Sequence, residues 1–460
     1  MGKTAIEWTD YSWNPIRAAR LQREDDRVST IGKLGWHCEH VSEGCRNCYA
    51  EVINRRLGTG FAFKPSYRLR RAPDVSVFLD KKMLLAPLRW KSPRRIFVCS
   101  MTDIGAPFVT DGMLDRIFAV MALCPQHTFM MLTKRPERLR AYIDNAFDRV
   151  VLEMMFSREL YKLPTVKETC EKYGLPFTQP QDGSDWWPLR NVWLGMSCED
   201  QSAANQRIPH LLATPASIRF LSCEPLLGPI NLTQVTLKSE IKISGHEFTH
   251  FNALTAIGKY GCGSAGQLLN WVIVGGESGP NARPMHPCWA RTLRDQCAAA
   301  EVPFFFKQWG EWAPMPAGAD ESYEASRARG ASDMAVMKPD LCVVERIGKK
   351  RAGRLLDGVE HNAFPGDRWA SFLHAVLTRW PGSRSALWRS GHLRTPLQKM
   401  ICSSSGSCSP CSRCRLFGKR SGRAVQRKSR SWSAEDDLRS EPSSVRAPPL
   451  VDRHGGRKPR

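Results

Sequence analysis

No apolar run in this sequence approaches the ~20 residues that a helix needs to cross a bilayer, so a membrane-spanning protein is not expected. The opening stretch, MGKTAIEWTDYSWNP, lacks the apolar core of a secretory signal. Ile6 stands where a myristoylation signal carries Ser or Thr. A cytoplasmic protein with no membrane partner is therefore expected. There is no G-x-S-x-G elbow and no Walker loop, which disfavours serine hydrolase and P-loop roles. No helix-borne H-E-x-x-H pair is expected either, which sets zinc peptidases aside. Acidic residues are the scarcer charge: 45 Asp and Glu against 67 Lys and Arg, a net +22.

That excess is uneven. Residues 367–460 hold 20 basic and 6 acidic side chains, and the 366 residues before them hold 47 and 39. The body is only mildly basic, which is weak evidence for nucleic acid. The tail is rich in Arg, Ser and Pro without a sustained hydrophobic period, and is expected to be mostly disordered. Composition of this kind also arises when a reading frame shifts. Within the tail, Cys402, Cys408, Cys411 and Cys414 are spaced C-x5-C-x2-C-x2-C. In so polar a stretch they are a weaker metal signal than the same spacing in a folded segment.

Hydrophobic residues make up 42% of the chain, enough for a sizeable core in the body. From about residue 90 a pattern repeats. A continuous apolar run ends in a polar or glycine-bearing cluster, and a helix-spaced segment follows. The runs are RRIFVCSMTD (94–103), HTFMMLTKRP (127–136), NVWLGMSCED (191–200), SIRFLSCEP (217–225), NWVIVGGESG (270–279) and VPFFFKQWG (302–310). Continuous runs mark strands buried on both faces, as in a parallel sheet covered by helices. Residues 112–124 and 286–301 are the clearest helices, the second with Pro287 in its first turn.

The expectation is thus an α/β domain over residues 1–366, a partial or distorted (β/α) barrel with parallel strands, or failing that an open doubly wound sheet. Either architecture gathers ligands at the carboxyl ends of its strands. That rule places Ser100, Thr102, Asp103, Thr133, Lys134, Arg135, Ser197, Glu199, Asp200, Ser222, Glu224, Glu277, Ser278, Lys307 and Gln308 on one rim. Some of these also suit helix caps. Residues 137–190 read as an added helical hairpin. Residues 231–269, with the Gly-rich KYGCGSAG, read as a second insertion.

The sixteen cysteines, in a reducing compartment, are thiols or metal ligands. Cys99, Cys198 and Cys223 sit in apolar runs and read as small core residues. WHCEHVSEGCRNCYAE (36–51) is different. Cys38, Cys45 and Cys48 form C-x6-C-x2-C before a helix-like YAEVINRRL. Thiolates select zinc or iron–sulfur clusters. A closed zinc site needs a fourth ligand, which His37 or His40 could supply. A four-iron cluster takes one thiolate per iron, so three cysteines leave one iron open for a ligand. In logic this resembles the radical S-adenosylmethionine enzymes, although their usual spacing is C-x3-C-x2-C and an aromatic precedes the third cysteine. Here Asn47 precedes Cys48 and Tyr49 follows it.

A closer resemblance runs through IEWTDYSWNP (6–15), CEHVSEGCRNCYAE (38–51), SMTD (100–103), LTKRPERL (132–139), VWLGMSCEDQ (192–201), RFLSCEPLLGPI (219–230), WVIVGGESGPNARPMHP (271–287) and PFFFKQWGEW (303–312). These stretches resemble a phage-associated three-cysteine-motif family found in phages and bacteria. The resemblance implies a radical S-adenosylmethionine-like role and a separate three-cysteine-motif partner protein. Residues 16–35 look like an insertion relative to shorter members.

The expected site follows. Cys38, Cys45 and Cys48 hold a [4Fe–4S] cluster. Ser100, Asp103, Lys134, Arg135, Glu199, Gly275, Gly276 and Glu277 bind S-adenosylmethionine, and Glu224 and Lys307 act on the substrate. Lys134 and Arg135 precede a helix and could hold an anion. Glu224 could equally be tied to Arg219 or Lys307. Trp309 and Trp312 could stack a base or pack in the core. In the alternative, the three cysteines bind zinc and the protein binds nucleotides or nucleic acid, helped by the basic tail.

Overall fold

The computed structural model describes residues 3–4, 6–24, 27–63, 75–157, 160, 187–236, 250–255, 268–316 and 318–366, with backbone alone at 22–24 and 27–32. The chain divides into two compact units, Met1–Pro381 and Gly382–Arg460, and every described residue lies in the first. The tail with its four cysteines falls outside the described residues, as does KYGCGSAG.

The strands are β1 (Tyr11–Trp13), β2 (Ile16–Glu24), β3 (Arg27–Gly35), β4 (Val75–Leu79), β5 (Arg95–Val98), β6 (Thr128–Thr133), β7 (Val192–Ser197), β8 (Ile218–Cys223), β9 (Val235–Thr236), β10 (His250–Phe251), β11 (Trp271–Gly275), β12 (Phe304–Gln308), β13 (Trp312–Pro314), β14 (Met334–Met337) and β15 (Cys342–Arg346). The helices are α1 (Tyr49–Leu57), α2 (Lys81–Leu84), α3 (Asp111–Ala122), α4 (Pro136–Ile143), α5 (Phe147–Phe156), α6 (Gln201–Ala213), α7 (Pro287–Ala299), α8 (Tyr323–Ala328) and α9 (Lys349–Ala352).

Seven strands form the main sheet in the order β1-β5-β6-β7-β8-β11-β12, and every neighbouring pair is parallel. The order never reverses. A doubly wound sheet reverses at its switch point, whereas a sheet wound always to the same side curls toward a barrel. The fold is therefore a parallel half-barrel, and the open-sheet alternative is set aside. All six apolar runs are strands of this sheet. The seventh, β1, is three residues long and too short to show a period.

Side chains alternate across the sheet. Ile96, Val98, Phe129, Met131, Leu194, Leu221, Val272, Val274 and Phe306 face the helices, with Leu114, Ile117 and Phe118 of α3 and Leu293 of α7. Phe97, Met130, Phe220, Trp271, Ile273 and Phe305 face the other way, joined by Trp8 and, less deeply buried, Trp193 and Phe364. This aromatic layer is the floor of the concave face. Truncating a fully buried member such as Phe305 to Ala would cost about 3–5 kcal/mol. Residues 353–365 seal its edge: Phe306 N donates to His361 O at 2.9 Å, and Trp271 Nε1 donates to Ala363 O at 2.8 Å.

One step further along β7, β8 and β12 the floor gives way to small or polar side chains, Gly195, Ser222 and Lys307, with Ser197 next on β7, while β6 still presents Leu132. Phe220 makes this layer shallow at β7, since a Cβ on Gly195 would lie 2.3 Å from its ring. The concave face is thus apolar below and polar at its carboxyl-end mouth.

The insertions resolve into simple units. Residues 16–35 are the antiparallel hairpin β2–β3, which β4 extends into a three-stranded sheet. The described part of 137–190 contains α4 and α5, and that of 231–269 contains the short pair β9–β10. A further sheet, β13-β15-β14, carried no clear signal in the sequence. Among the described residues no helix is long and apolar enough to cross a membrane.

Candidate functional site

The chain leaves β1 at the mouth, runs through the β2–β3 hairpin, and returns as the three-cysteine loop ahead of α1. Cys38, Cys45 and Cys48 are free thiols, Cys45 buried and the other two half-buried. Two of the sulfurs accept backbone N–H groups: Asp103 N donates to Cys38 Sγ at 3.4 Å and Val41 N to Cys45 Sγ at 3.5 Å. Cys48 stands at the N-cap of α1. Burial pushes the Cys38 and Cys48 thiols up, and the negative charge of the other cysteines pushes them the same way. The N–H groups of Asp103 at Cys38, and of Ala50 and Glu51 at Cys48, pull in the opposite direction.

The loop is fastened to four strand ends. At β5 and β6, Asp103 is the hub. It accepts from Thr133 Oγ1 at 2.6 Å, Gly105 N at 2.9 Å, Lys134 N at 3.2 Å and Arg135 Nη1 at 2.9 Å. Arg135 also reaches Glu39 of the loop, 3.7 Å away. At β7 the hub is Glu199, 1% exposed. Ser42 Oγ donates to its Oε1 at 2.8 Å, Arg207 Nη1 to its Oε2 at 2.9 Å, and Lys134 Nζ closes on Oε1. Burial alone would raise this carboxyl, but Lys134 and Arg207 hold it down to about 2. Gly44 rests directly on it, since a Cβ there would lie 2.4 Å from Glu199 Cγ.

At β11 the hub is Glu277. Arg283 clamps it through Nε at 2.9 Å and Nη2 at 2.6 Å, and Asn47 Nδ2 donates to Oε2 at 3.0 Å. Burial opposes the charge on Glu277, and the Arg283 contacts override it, so its pKa is lowered. Arg283 Nη2 also donates to Glu43 O of the loop at 2.9 Å.

The remaining mouth groups pair across β11. Lys307 Nζ donates to both oxygens of Glu224, at 2.7 and 2.8 Å, and Gln308 Nε2 donates to Oε1 at 3.0 Å. Gly275 lies beneath this bridge, where a Cβ would come within 3.3 Å of Glu224 Cδ. Gly276 has a different neighbour, with a Cβ there falling 1.9 Å from Trp309 O. Tyr49 Oη donates to Ser100 O at 2.6 Å, and Asn14 Nδ2 donates to Ser100 Oγ at 3.1 Å. Gln308 Oε1 and Thr102 Oγ1 are buried, and among the described residues neither has a hydrogen-bond partner.

Several expectations need correction. Lys134 and Arg135 are not free cations awaiting an anion, since Glu199 and Asp103 hold them. Arg219 turns away from Glu224, and its Nη2 donates to Thr214 O at 2.7 Å. Trp309 and Trp312 are 4% and 7% exposed, and each indole N–H is spent on a backbone carbonyl, so neither offers a stacking face. Asp200 is a helix cap, accepting from Ala203 N at 2.8 Å. The sequence does spell H-E-x-x-H, as HEFTH at 246–250. His250 stands in β10 opposite Thr236, and 246–249 lie outside the described residues.

The histidines offered as zinc ligands are engaged elsewhere. His40 Nε2 lies 2.6 Å from Glu51 Oε2. His37 packs between Phe63 and Phe108, where burial lowers it to about 4. Among the described residues no three His, Cys, Asp or Glu side chains gather closely enough to hold a single metal ion. A four-iron cluster asks for less convergence, because its thiolates bind different irons. Three free thiols on one loop, with N–H groups directed at sulfur, suit that requirement.

Asn14, Ser42, Gly44, Asn47 and Arg207 were not expected at the site. Ser42, Gly44 and Asn47 lie between the cysteines, where polar residues read as ordinary loop. Arg207 sits inside α6, where only the fold reveals that it reaches Glu199.

Residues 34–365 match a family described as a protein of unknown function, DUF5131. The chain belongs to that family. In this DUF5131 member the matched stretch begins just before the cysteine loop and ends with the segment that seals β12. No curated protein and no solved structure matches the chain.

Proposed function

We propose that this protein is an iron–sulfur enzyme of radical S-adenosylmethionine type, acting on a substrate held in the mouth of the half-barrel. The observation that carries the reading is the seat of the three-cysteine loop. It lies across the carboxyl ends of β5, β6, β7 and β11, where parallel barrels bind their ligands. Cys38, Cys45 and Cys48 would hold a [4Fe–4S] cluster with one open iron, and the half-buried position of two thiols leaves that side reachable. When bound, the cluster and S-adenosylmethionine would supply one-electron reductive cleavage.

The chain's own residues bind, orient and exclude water. Asp103, Glu199 and Glu277 fix the loop against the four strand ends, so the thiols are held before any ligand arrives. The aromatic floor closes the barrel from below and keeps water from the reacting groups. Lys307 and Glu224 form a pair of opposite charges 2.7 Å apart, suited to orienting a zwitterionic ligand or moving a proton at a Glu224 oxygen. A separate three-cysteine-motif partner protein and a nucleic-acid role for the basic tail remain proposals of the sequence.

The test is anaerobic incubation of the reconstituted chain with S-adenosylmethionine and a reductant, followed by chromatography for 5′-deoxyadenosine. Its release by the wild type and its loss in Cys45→Ala supports the reading. A chain that takes up a cluster and yet releases none contradicts it.

A further inference from the structure

The seat of the thiols holds more hydrogen donors than the chain itself uses. Two backbone groups already point at sulfur, Asp103 N at Cys38 and Val41 N at Cys45. Beside them Ala50, Phe63 and Met101 form a small apolar cluster, and Trp36, Cys38 and Cys48 all pack against it. Trp36 therefore shares its packing with two of the thiols. Met101 brings the turn after β5 against the same place.

A donor on each of these segments is firmly placed and idle. Trp36 N donates to Asn54 Oδ1 at 2.9 Å, and Asn54 is fully buried. The Arg17 guanidinium lies over the half-buried indole, 4.3 Å from its centroid. Yet the indole Nε1 is buried, and among the described residues it has no partner. Thr102 is the second case. Its neighbours in the turn are all engaged: Ser100 O accepts from Tyr49 Oη at 2.6 Å, Met101 N donates to Asn14 Oδ1 at 3.1 Å, and Asp103 N donates to Cys38 Sγ. Thr102 N donates to Cys99 O at 3.2 Å. The side chain is 5% exposed, and among the described residues its Oγ1 has no partner. A buried donor without an acceptor is costly, and folded chains keep few of them. Two beside one set of thiols call for acceptors at that place.

A four-iron cluster carries such acceptors in its inorganic sulfides, and hydrogen bonds to its sulfurs tune its reduction potential. We infer that Trp36 Nε1 and Thr102 Oγ1 donate to sulfur of the cluster held by Cys38, Cys45 and Cys48, as positioning residues that raise its reduction potential. The inference rests on the iron–sulfur reading above. Its sign follows from charge: the reduced cluster is more negative, so a donor at sulfur favours the reduced form.

The test is a redox titration of the reconstituted full chain, read by electron paramagnetic resonance of the reduced cluster. The variants are Trp36→Phe, Thr102→Val, Thr102→Ser and the double variant Trp36→Phe/Thr102→Val. At the wild-type midpoint, the ratio of reduced to oxidised cluster should fall about threefold in Trp36→Phe and in Thr102→Val. In the double variant it should fall about tenfold, a midpoint lower by about 59 mV for one electron. Thr102→Ser keeps the hydroxyl and should keep the potential. The metal-free chain gives a second readout. There Thr102→Val replaces an idle hydroxyl with a methyl, so its melting temperature should equal or exceed that of the wild type. A metal-free Thr102→Val that melts lower, with an unchanged potential when loaded, assigns the hydroxyl to a partner in the protein and overturns the proposal. Wild-type potentials in all variants overturn it as well, as does a fall in Thr102→Ser equal to that in Thr102→Val. Failure of the iron–sulfur reading is distinct: the chain then takes up no iron or sulfide, and the proposal falls with it.

Discussion

Glu199 joins the cysteine loop, β6 and α6 in one buried carboxylate, so its replacement tests the architecture of the mouth. Glu199→Gln keeps the shape, removes the charge, and leaves Lys134 and Arg207 facing a neutral amide. The Glu199 side chain is 2% exposed, so its interactions are little screened by solvent. Its pKa falls from the ordinary 4.5 to about 2, a depression that corresponds to roughly 3 kcal/mol. Removing one partner of a buried pair costs about 3–5 kcal/mol, which agrees. Because the folded pKa is depressed, this stabilisation is present above the unfolded value and disappears as pH falls from about 4.5 toward about 2. The assay is urea unfolding of wild type and Glu199→Gln across pH 7 to pH 2. The difference in unfolding free energy should be about 3 kcal/mol near neutrality and shrink toward zero at the acid end. Taking the difference removes the other carboxylates, which titrate alike in both proteins. The three thiols should also react faster with iodoacetamide in the variant. A difference below about 1 kcal/mol at neutral pH, or one that does not change with pH, would refute the reasoning.

Other outcomes follow from the same geometry. Gly44→Ala should cost about 1–3 kcal/mol and speed cysteine alkylation, because the new Cβ would overlap a Glu199 side chain that cannot move aside; a wild-type alkylation rate would argue against this docking. Gly275→Ala and Gly276→Ala should separate: the first meets Glu224 at 3.3 Å and should melt close to wild type, while the second meets a backbone oxygen at 1.9 Å and should melt far lower. Equal melting temperatures would show that the glycine pair is not discriminated as described. Arg283→Ala leaves the buried Glu277 carboxylate without its clamp and should cost about 3 kcal/mol in urea unfolding at neutral pH; a loss under about 1 kcal/mol would mean that water replaces the arginine.

The half-barrel was legible because its strands are buried on both faces and therefore read as unbroken apolar runs, from RRIFV to VPFFF. The rim followed from the parallel direction, since the polar cluster after each run had to fall at the same end. Partnership within the rim was legible only at Glu224, read as tied to Arg219 or Lys307 and held by Lys307. Whether Lys134 awaits an anion or closes on Glu199 depends on a side chain 65 residues away. The strand β1 escaped because three residues show no period. Trp309 and Trp312 looked like stacking platforms because composition does not say which way an indole N–H points.

The central claim is that Cys38, Cys45 and Cys48 carry an iron–sulfur cluster at the mouth of the half-barrel. The most direct measurement is iron, acid-labile sulfide and zinc on the full chain purified anaerobically, beside the Cys38/Cys45/Cys48→Ala variant. About four irons and four sulfides per chain, absent from the variant, is the expected result. Stoichiometric zinc without sulfide, persisting after cluster reconstitution, would contradict it.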